Sequence, residues 1–306
     1  MSKPSNLLIY YGYPNSFNSA ANQWNNELVA QEMACYDLIV LGSGVQDPTH
    51  GDYNNSKVII PRILEVNDRV MVFGYVDVAQ TFESFKIDVG QWIALGVNGV
   101  FLDQAGYDFG TAATNGREAL NEKVDFLHRY GLVVFANAWN PSHVLDETND
   151  VSYPNSTWNP NLDPSSLGED DWYLMENFGV TNGSYESASQ WKSRGDKIKE
   201  IVAEKPIKLA SVSVISDTDN NGQDKFYFSF ISSLIFLMDA HGSSDTSYGA
   251  SSAKAKMWAR PNMCGIEAGV DTGVHNNGNK YFRYMNQAKL EVDFTSGSES
   301  YQILNI

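Results

Sequence analysis

The sequence predicts an α/β fold: a (β/α)8 TIM-type barrel followed by a short C-terminal β extension. Three observations predict it. Short apolar runs rich in β-branched and aromatic residues alternate with amphipathic stretches. The runs are apolar on both faces, as strands are when helices cover a parallel sheet. The strand-plus-helix unit recurs about every thirty residues, and eight units over about 250 residues suit a closed barrel better than an open sheet.

Leu7 to Tyr11 reads as the first strand, and Gln23 to Ala34 as a helix with Leu28, Val29 and Met33 at helical spacing. Asp37 to Leu41 is the second strand, closed by Gly42-Ser43-Gly44, and Ser56 to Val66 the next helix. Arg69 to Val76 gives the third strand, Phe85 to Leu95 its helix, and Gly99 to Asp103 the fourth. Arg117 to Tyr130 is helical with Gly131 as its stop, and Leu132 to Asn137 forms the fifth strand. After a long loop, Trp172 to Glu176, Ile207 to Ile215 and a weak Asp245 to Ala250 supply strands six to eight, with helices Ser187 to Ala203 and Gln223 to Ala240 between them. The barrel is assigned to residues 1–252 and the β-rich extension to 253–306, where Asn276-Asn-Gly278 marks a turn and Tyr281 to Phe294 and Tyr301 to Leu304 read as paired strands. The extension either packs on the barrel or serves assembly, into a homo-oligomer or a virion.

A chain of 306 residues with 42% hydrophobic content buries a continuous core. Lys plus Arg number 21 against 37 Asp plus Glu, and the resulting charge of -16 repels nucleic acid and anionic headgroups. Cys35 and Cys264 lack framework or metal-site spacing and are expected as reduced core thiols. The tract Phe226 to Ala240, broken by Ser229, Ser232, Ser233 and Asp239, is read as a buried helix rather than a membrane span. The opening Met-Ser-Lys-Pro-Ser-Asn has no signal-peptide pattern, so the expectation is extracellular action by non-Sec release or within a virion, and otherwise a cytoplasmic location.

In a barrel of this kind the chemistry collects at the carboxyl ends of the strands. The polar residues that end apolar runs are Tyr11 and Tyr13, Tyr75 and Asp77, Asp103, Asn137 and Glu176. An acid directly after Gly-Val-Phe-Leu, as Asp103 is, sits at the lip of a buried strand where desolvation is costly unless the group is used. Glu176 after Trp-Tyr-Leu-Met repeats that placement. Two carboxyls across a barrel mouth suit glycosidic cleavage, one protonating the leaving oxygen while the other attacks C1 or activates water. This chemistry requires neither cofactor nor metal. Tyr10, Tyr11, Tyr13, Tyr75, Tyr107, Trp139, Trp158 and Phe178 are candidate surfaces for stacking on sugars. Phosphate-binding loops, a nucleophile elbow and histidine ligand spacing are missing. Asp217-Thr-Asp219-Asn-Asn221-Gly222 resembles the opening of a calcium loop but has Phe228 at the twelfth position, and reads as a turn and helix cap.

The segment Asp37-Leu-Ile-Val-Leu-Gly-Ser-Gly, then Tyr53-Asn54, Val72-Phe-Gly-Tyr-Val76, the helix with Asp88 and Trp92, and Val97-Asn-Gly-Val-Phe-Leu-Asp103 resemble the spherulin-like glycoside hydrolases and the related endo-α-1,4-polygalactosaminidases, over roughly residues 5 to 180. The resemblance implies a barrel acting on amino-sugar polysaccharide. Asp103 and Glu176 match its carboxylate pair, and Asn137 an asparagine near the sugar. The chain departs from the family pattern at Gln104, where a Glu is common, and lacks an Arg soon after the third strand.

The first functional reading is an endo-acting glycosidase with Asp103 and Glu176 as catalytic pair, either one as the acid, and with Tyr11, Tyr13, Tyr75, Asp77, Asn137 and Trp139 holding substrate. The acidic charge favours a cationic, partly deacetylated glycan. The second is a non-catalytic carbohydrate-recognising virion or surface protein on the same barrel. A phage-borne depolymerase reconciles the two.

Overall fold

Strands that are apolar on both faces satisfy both by turning one face toward each other and the other toward covering helices. The chain folds this way in a computed structural model that describes residues 4–106, 116–149, 158–215, 221–244, 257–261, 273–285, 288–295 and 300–305. β1 (Ser5–Tyr10) leads through a 3-10 turn (Pro14–Ser16) to α1 (Ser19–Asn22) and α2 (Asn26–Met33). There follow β2 (Leu38–Leu41), α3 (Tyr53–Val66), β3 (Met71–Asp77), α4 (Phe82–Leu95), β4 (Gly99–Asp103), α5 (Gly116–Arg129), β5 (Val133–Asn137), α6 (Ser142–Leu145) and β6 (Trp172–Met175). A small hairpin, β7 (Val180–Thr181) and β8 (Ser184–Tyr185), precedes α7 (Ala188–Glu204), β9 (Lys208–Val214), α8 (Gly222–Ile235) and β10 (Ala240–Ser244). β1 to β6 with β9 and β10 form the closed parallel barrel of a (β/α)8 fold, β10 pairing with β9 on one side and β1 on the other.

The inward face of the strands has its own core, in which Ile9, Val40, Phe73, Phe101, Phe135 and Leu174 are buried together. Phe135 is its hub, with ring centroids 5.3 Å from Phe73, 5.4 Å from Phe101 and 6.0 Å from Trp172. The outward faces pack against the helices in a second, larger core that includes Val72, Val100, Val134 and Tyr173. Phe73, Phe101 and Phe135 therefore form an aromatic floor directly below the strand ends.

The eighth barrel strand is Ala240–Ser244, not Asp245 to Ala250, which lies outside the described residues. The helix before it stops at Ile235, and Leu237 adopts a left-handed backbone (φ 62°) that turns the chain into β10. Cys35 is exposed rather than a core thiol, because it follows the last turn of α2; Cys264 lies outside the described residues. α2 starts at Asn26, where Asn25 caps the amides of Glu27 and Leu28, and this register leaves Leu28 39% exposed. Asp217 and Asp219 lie outside the described residues, and Asn221 precedes α8 without a side-chain cap bond. Among the described residues no helix is long and apolar enough to cross a membrane.

The extension is a four-stranded antiparallel sheet, β11 (His275–Asn277), β12 (Lys280–Met285), β13 (Ala288–Asp293) and β14 (Ser300–Asn305). The turn at Gly278 (φ 65°) joins β11 to β12, so the stretch from Tyr281 to Phe294 is the second hairpin of a larger sheet. The sheet packs on α7 and α8. Tyr281 meets Trp191 edge-on at 5.1 Å and donates to Asp196 at 2.6 Å, while Arg283 donates to the Leu234 carbonyl at 2.7 Å.

One close approach links the helical layer to the strand ends. A Cβ on Gly74 would stand 2.1 Å from the indole of Trp92, a fully buried side chain of α4 whose Nε1 donates to the Tyr75 carbonyl at 3.0 Å. Gly74→Ala should therefore destabilise the fold by about 1–3 kcal/mol through overpacking. Urea unfolding measures this, and a variant as stable as the wild type would contradict the packing described.

Candidate active site

Side chains alternate along a strand, so residues two apart share a face. The inward positions Phe73, Tyr75 and Asp77 on β3, Phe101 and Asp103 on β4, Phe135 and Asn137 on β5, and Trp172, Leu174 and Glu176 on and just after β6 each run from apolar to polar toward the same barrel mouth. Four adjacent strands thus bring these groups together above the aromatic floor.

Asp103 accepts from the Tyr75 hydroxyl at 2.7 Å on one oxygen and from Asn137 Nδ2 at 2.8 Å on the other. The same Nδ2 donates to Glu176 at 3.3 Å. One amide nitrogen therefore keeps their facing oxygens within about 6 Å of each other. Asn137 is only 4% exposed, and its Oδ1 is buried with no hydrogen-bond partner among the described residues. Turning the amide over would take its donor away from the oxygens of both acids, which favours this orientation even though an orphaned buried acceptor costs about 1–3 kcal/mol.

The two acids differ in surroundings. Burial pushes the Glu176 carboxyl above its ordinary range; the Asn137 hydrogen bond opposes this, the Asp103 charge adds to it, and the Arg194 charge counters it. Burial and the hydrogen bond to Asp103 push the Tyr75 hydroxyl far up, so it stays a donor. Asp103 accepts from two side-chain donors, the Tyr75 hydroxyl and the Asn137 amide.

Asp77 lies beside Asp103 in the β3–β4 register and accepts from the Ala79 amide at 2.7 Å and from Gln104 Nε2 at 3.4 Å. Gln104 has a left-handed backbone (φ 57°), which carries its amide back over Asp77. A Glu there would set a third acid against two others; Gln supplies a donor instead.

The aromatic candidates divide. Tyr11 meets Tyr75 edge-on at 5.5 Å, at the rim of the inward core. Trp139, in the loop after β5, is 45% exposed and stacks on the Arg194 guanidinium at 4.6 Å. Tyr13 is exposed and packs against His50 at 4.8 Å. Tyr10, Trp158 and Phe178 are buried and serve packing: Tyr10 bonds Ser16, Trp158 donates to the His143 carbonyl, and Phe178 stacks on Trp191. Tyr107 lies outside the described residues. Arg194, whose charge reaches Glu176, gives no sequence signal, because it comes from the middle of a helix. Among the described residues no three His, Cys, Asp or Glu side chains converge to hold a metal ion.

No family model matches the chain, and no curated protein does. Solved structures do. Amy13B of Eubacterium rectale superposes with a TM-score of 0.54 at 9% identity, over 95% of this chain and 86% of that one. A glycoside hydrolase follows with a TM-score of 0.47 at 11% identity, over 94% and 79%. The carboxyl transferase domain of Rhizobium etli pyruvate carboxylase gives 0.45 at 10% identity over 80% of this chain, which spans only 40% of that chain's length. At such identities the likeness is one of fold: glycoside hydrolases with TIM barrels stand among the neighbours beside barrels of other chemistry.

Since folding holds Glu176 above the unfolded carboxyl value of 4.5, its contribution to stability is complete below that value and is lost as pH rises through the folded one. Glu176→Gln should therefore gain stability relative to the wild type between about pH 4 and about pH 7.5. Urea unfolding at both ends reads the difference; a gap that stays constant across the range would show that Glu176 is not held in this way.

Proposed function

We infer that this chain is an endo-acting, retaining glycosidase in which Asp103 is the nucleophile and Glu176 the acid and base. The observation that carries the reading is the Asn137 bridge: two acids of unequal environment on one mouth, their facing oxygens no more than about 6 Å apart because one nitrogen binds both, which is short of the about 6.5–9.5 Å that leaves room for an inverting water. Burial raises the Glu176 carboxyl and so favours the protonated form that the departing oxygen needs. Asp103 attacks C1 as the C1–O bond breaks, and the proton of Glu176 passes to the leaving group. Glu176, now a carboxylate, takes a proton from water; the water oxygen bonds C1 and Asp103 leaves as a carboxylate. Tyr75 and Asn137 hold Asp103 in line, and both can share hydrogen bonds with the developing charge.

Substrate selection follows from charge and from Trp139. Three carboxyls, Asp77, Asp103 and Glu176, come together at the mouth, and this supports a sugar that carries a free ammonium, as the acidic chain charge does at longer range. Trp139 offers an open ring face for a neighbouring sugar of a longer chain.

Reducing-end release from polysaccharides of galactosamine or glucosamine, acetylated and deacetylated, tests the reading. Glu176→Gln should lose about 10²–10⁴-fold in turnover on the polysaccharide but much less on substrates with an activated leaving group, whereas Asp103→Asn should lose both. The anomer first released, followed by NMR, should be the retained one. Wild-type protein that binds these glycans without cleaving any of them would turn the mouth into a recognition surface and overturn the catalytic reading.

A further inference from the structure

We propose that Arg194 is a positioning residue that ties the Glu176 backbone and the Trp139 ring into one rigid unit, so that it sets where the acid points and which face of Trp139 meets the sugar. The proposal rests on the glycosidase reading above.

Its guanidinium reaches from the middle of α7 toward the turn that follows β6. Nη2 donates to the Glu176 carbonyl, and Nη1 donates to the Asn177 carbonyl at 3.1 Å and to Glu186 Oε1 at 2.9 Å. Glu186 is itself anchored, its other oxygen accepting from the Gly179 amide at 3.0 Å. The clamped turn is unusual backbone: Asn177 is left-handed (φ 55°) and Gly179 has φ 82°. A non-glycine residue held in that region persists where its surroundings over-determine it, and Arg194 supplies two of the hydrogen bonds that do so.

The same guanidinium lies between two rings, 4.6 Å from Trp139 and 5.7 Å from Phe178. Phe178 is buried, whereas Trp139 is 45% exposed. One face of Trp139 is thus occupied by a cation that also holds the acid, and the ring is kept from folding down into the mouth. One turn along α7, Lys197 donates to Asn140 Oδ1 at 2.8 Å. α7 therefore grips both the loop after β5, which carries Trp139, and the turn after β6, which carries Glu176.

An ion pair with Glu186 would suffice to dock a helix; it would not need a donor on the carbonyl of the proposed acid itself. Charge adds a second effect. The groups facing Glu176 are Asp103 from β4, Asn137 from β5, Arg194 from α7 and Asn177, whose Nδ2 donates to Glu176 Oε1 at 3.5 Å, with Glu186 paired to Arg194 behind it, and Arg194 is the cation that offsets the rise caused by burial and by Asp103.

The test uses the full chain and needs no substrate. The Glu176 carboxyl is titrated by carbon-13 NMR, and Trp139 accessibility is read by acrylamide quenching with Trp139→Phe subtracted, in wild type, Arg194→Gln and Arg194→Lys. Arg194→Gln should raise the Glu176 midpoint by up to about one unit and increase Trp139 quenching. Arg194→Lys keeps the charge but not the planar fork, so it should restore most of the midpoint and leave the quenching high. On a cleaved substrate, Arg194→Gln should lower kcat by about 10²-fold and move the alkaline limb of the pH profile upward with the midpoint. A folded Arg194→Gln with unmoved midpoint and quenching overturns the proposal, and if that variant does not fold, unchanged quenching in Arg194→Lys does. Absence of turnover by the wild type would sink the glycosidase reading alone, since neither spectroscopic measurement depends on it.

Discussion

The rest of the site depends on one amide. Two carboxyls taken out of water at close range repel each other, and removing them from solvent is costly before that repulsion is counted. Asn137 makes the arrangement tolerable by offering a neutral donor to both, and it can do so only because β5 delivers it to the mouth between β4 and β6. The Asp103 charge adds to the burial that raises the Glu176 carboxyl. A symmetric pair would have no reason to divide into acid and nucleophile. Unequal hydrogen bonding divides it, since the Tyr75 hydroxyl donates to Asp103.

That amide has to be held rigidly, and the packing below it does this. Phe73, Phe101 and Phe135 occupy the same inward columns as Tyr75, Asp103 and Asn137, so each polar group stands directly on a ring of its own strand. Ring edges meet ring faces at about right angles on this floor, an arrangement with little freedom to slide. On the far side of the barrel the inward residues are small or aliphatic, such as Ala210 and Val212, which makes room for the bulk of the aromatic half. Gly74 extends the principle outward, since its missing side chain lets Trp92 lie on β3 and hold the Tyr75 backbone.

Much of this was legible because strand periodicity and chemistry coincide. The runs ending in Asp103, Asn137 and Glu176 are short, apolar and close to each other in register, so the sequence alone pointed to one face of one mouth. The eighth strand was not legible, for a physical reason: Ala-His-Gly-Ser-Ser has no apolar run. His241 is buried by pairing with hydroxyls, Ser211 at 2.9 Å and Ser229 at 3.2 Å, and burial pushes its imidazole down to about 3. The serines that interrupt the tract from Phe226 to Ala240 thus include a partner of that histidine. Trp158 and Phe178 misled for the opposite reason, since aromatic residues in loops look alike whether they cap the core or face solvent. Arg194 was invisible because nothing in a helix of mixed polarity marks a cation that turns back toward the strand ends.

Arg194 and Lys123 also explain how an acidic mouth keeps its character. The charge of each reaches a mouth carboxyl, Arg194 to Glu176 and Lys123 to Asp77. Each nevertheless spends donors on backbone carbonyls, Lys123 on Val78 at 2.6 Å and Arg194 on Glu176 and Asn177. A cation bound to a carboxylate would screen it and fill the place where a substrate ammonium belongs. A cation bound to the carbonyls behind it tempers the repulsion, fixes the loop and leaves the carboxylate oxygens facing the cleft. Negative potential at the mouth and rigidity of the loops are then supplied by different atoms, so neither is obtained at the expense of the other.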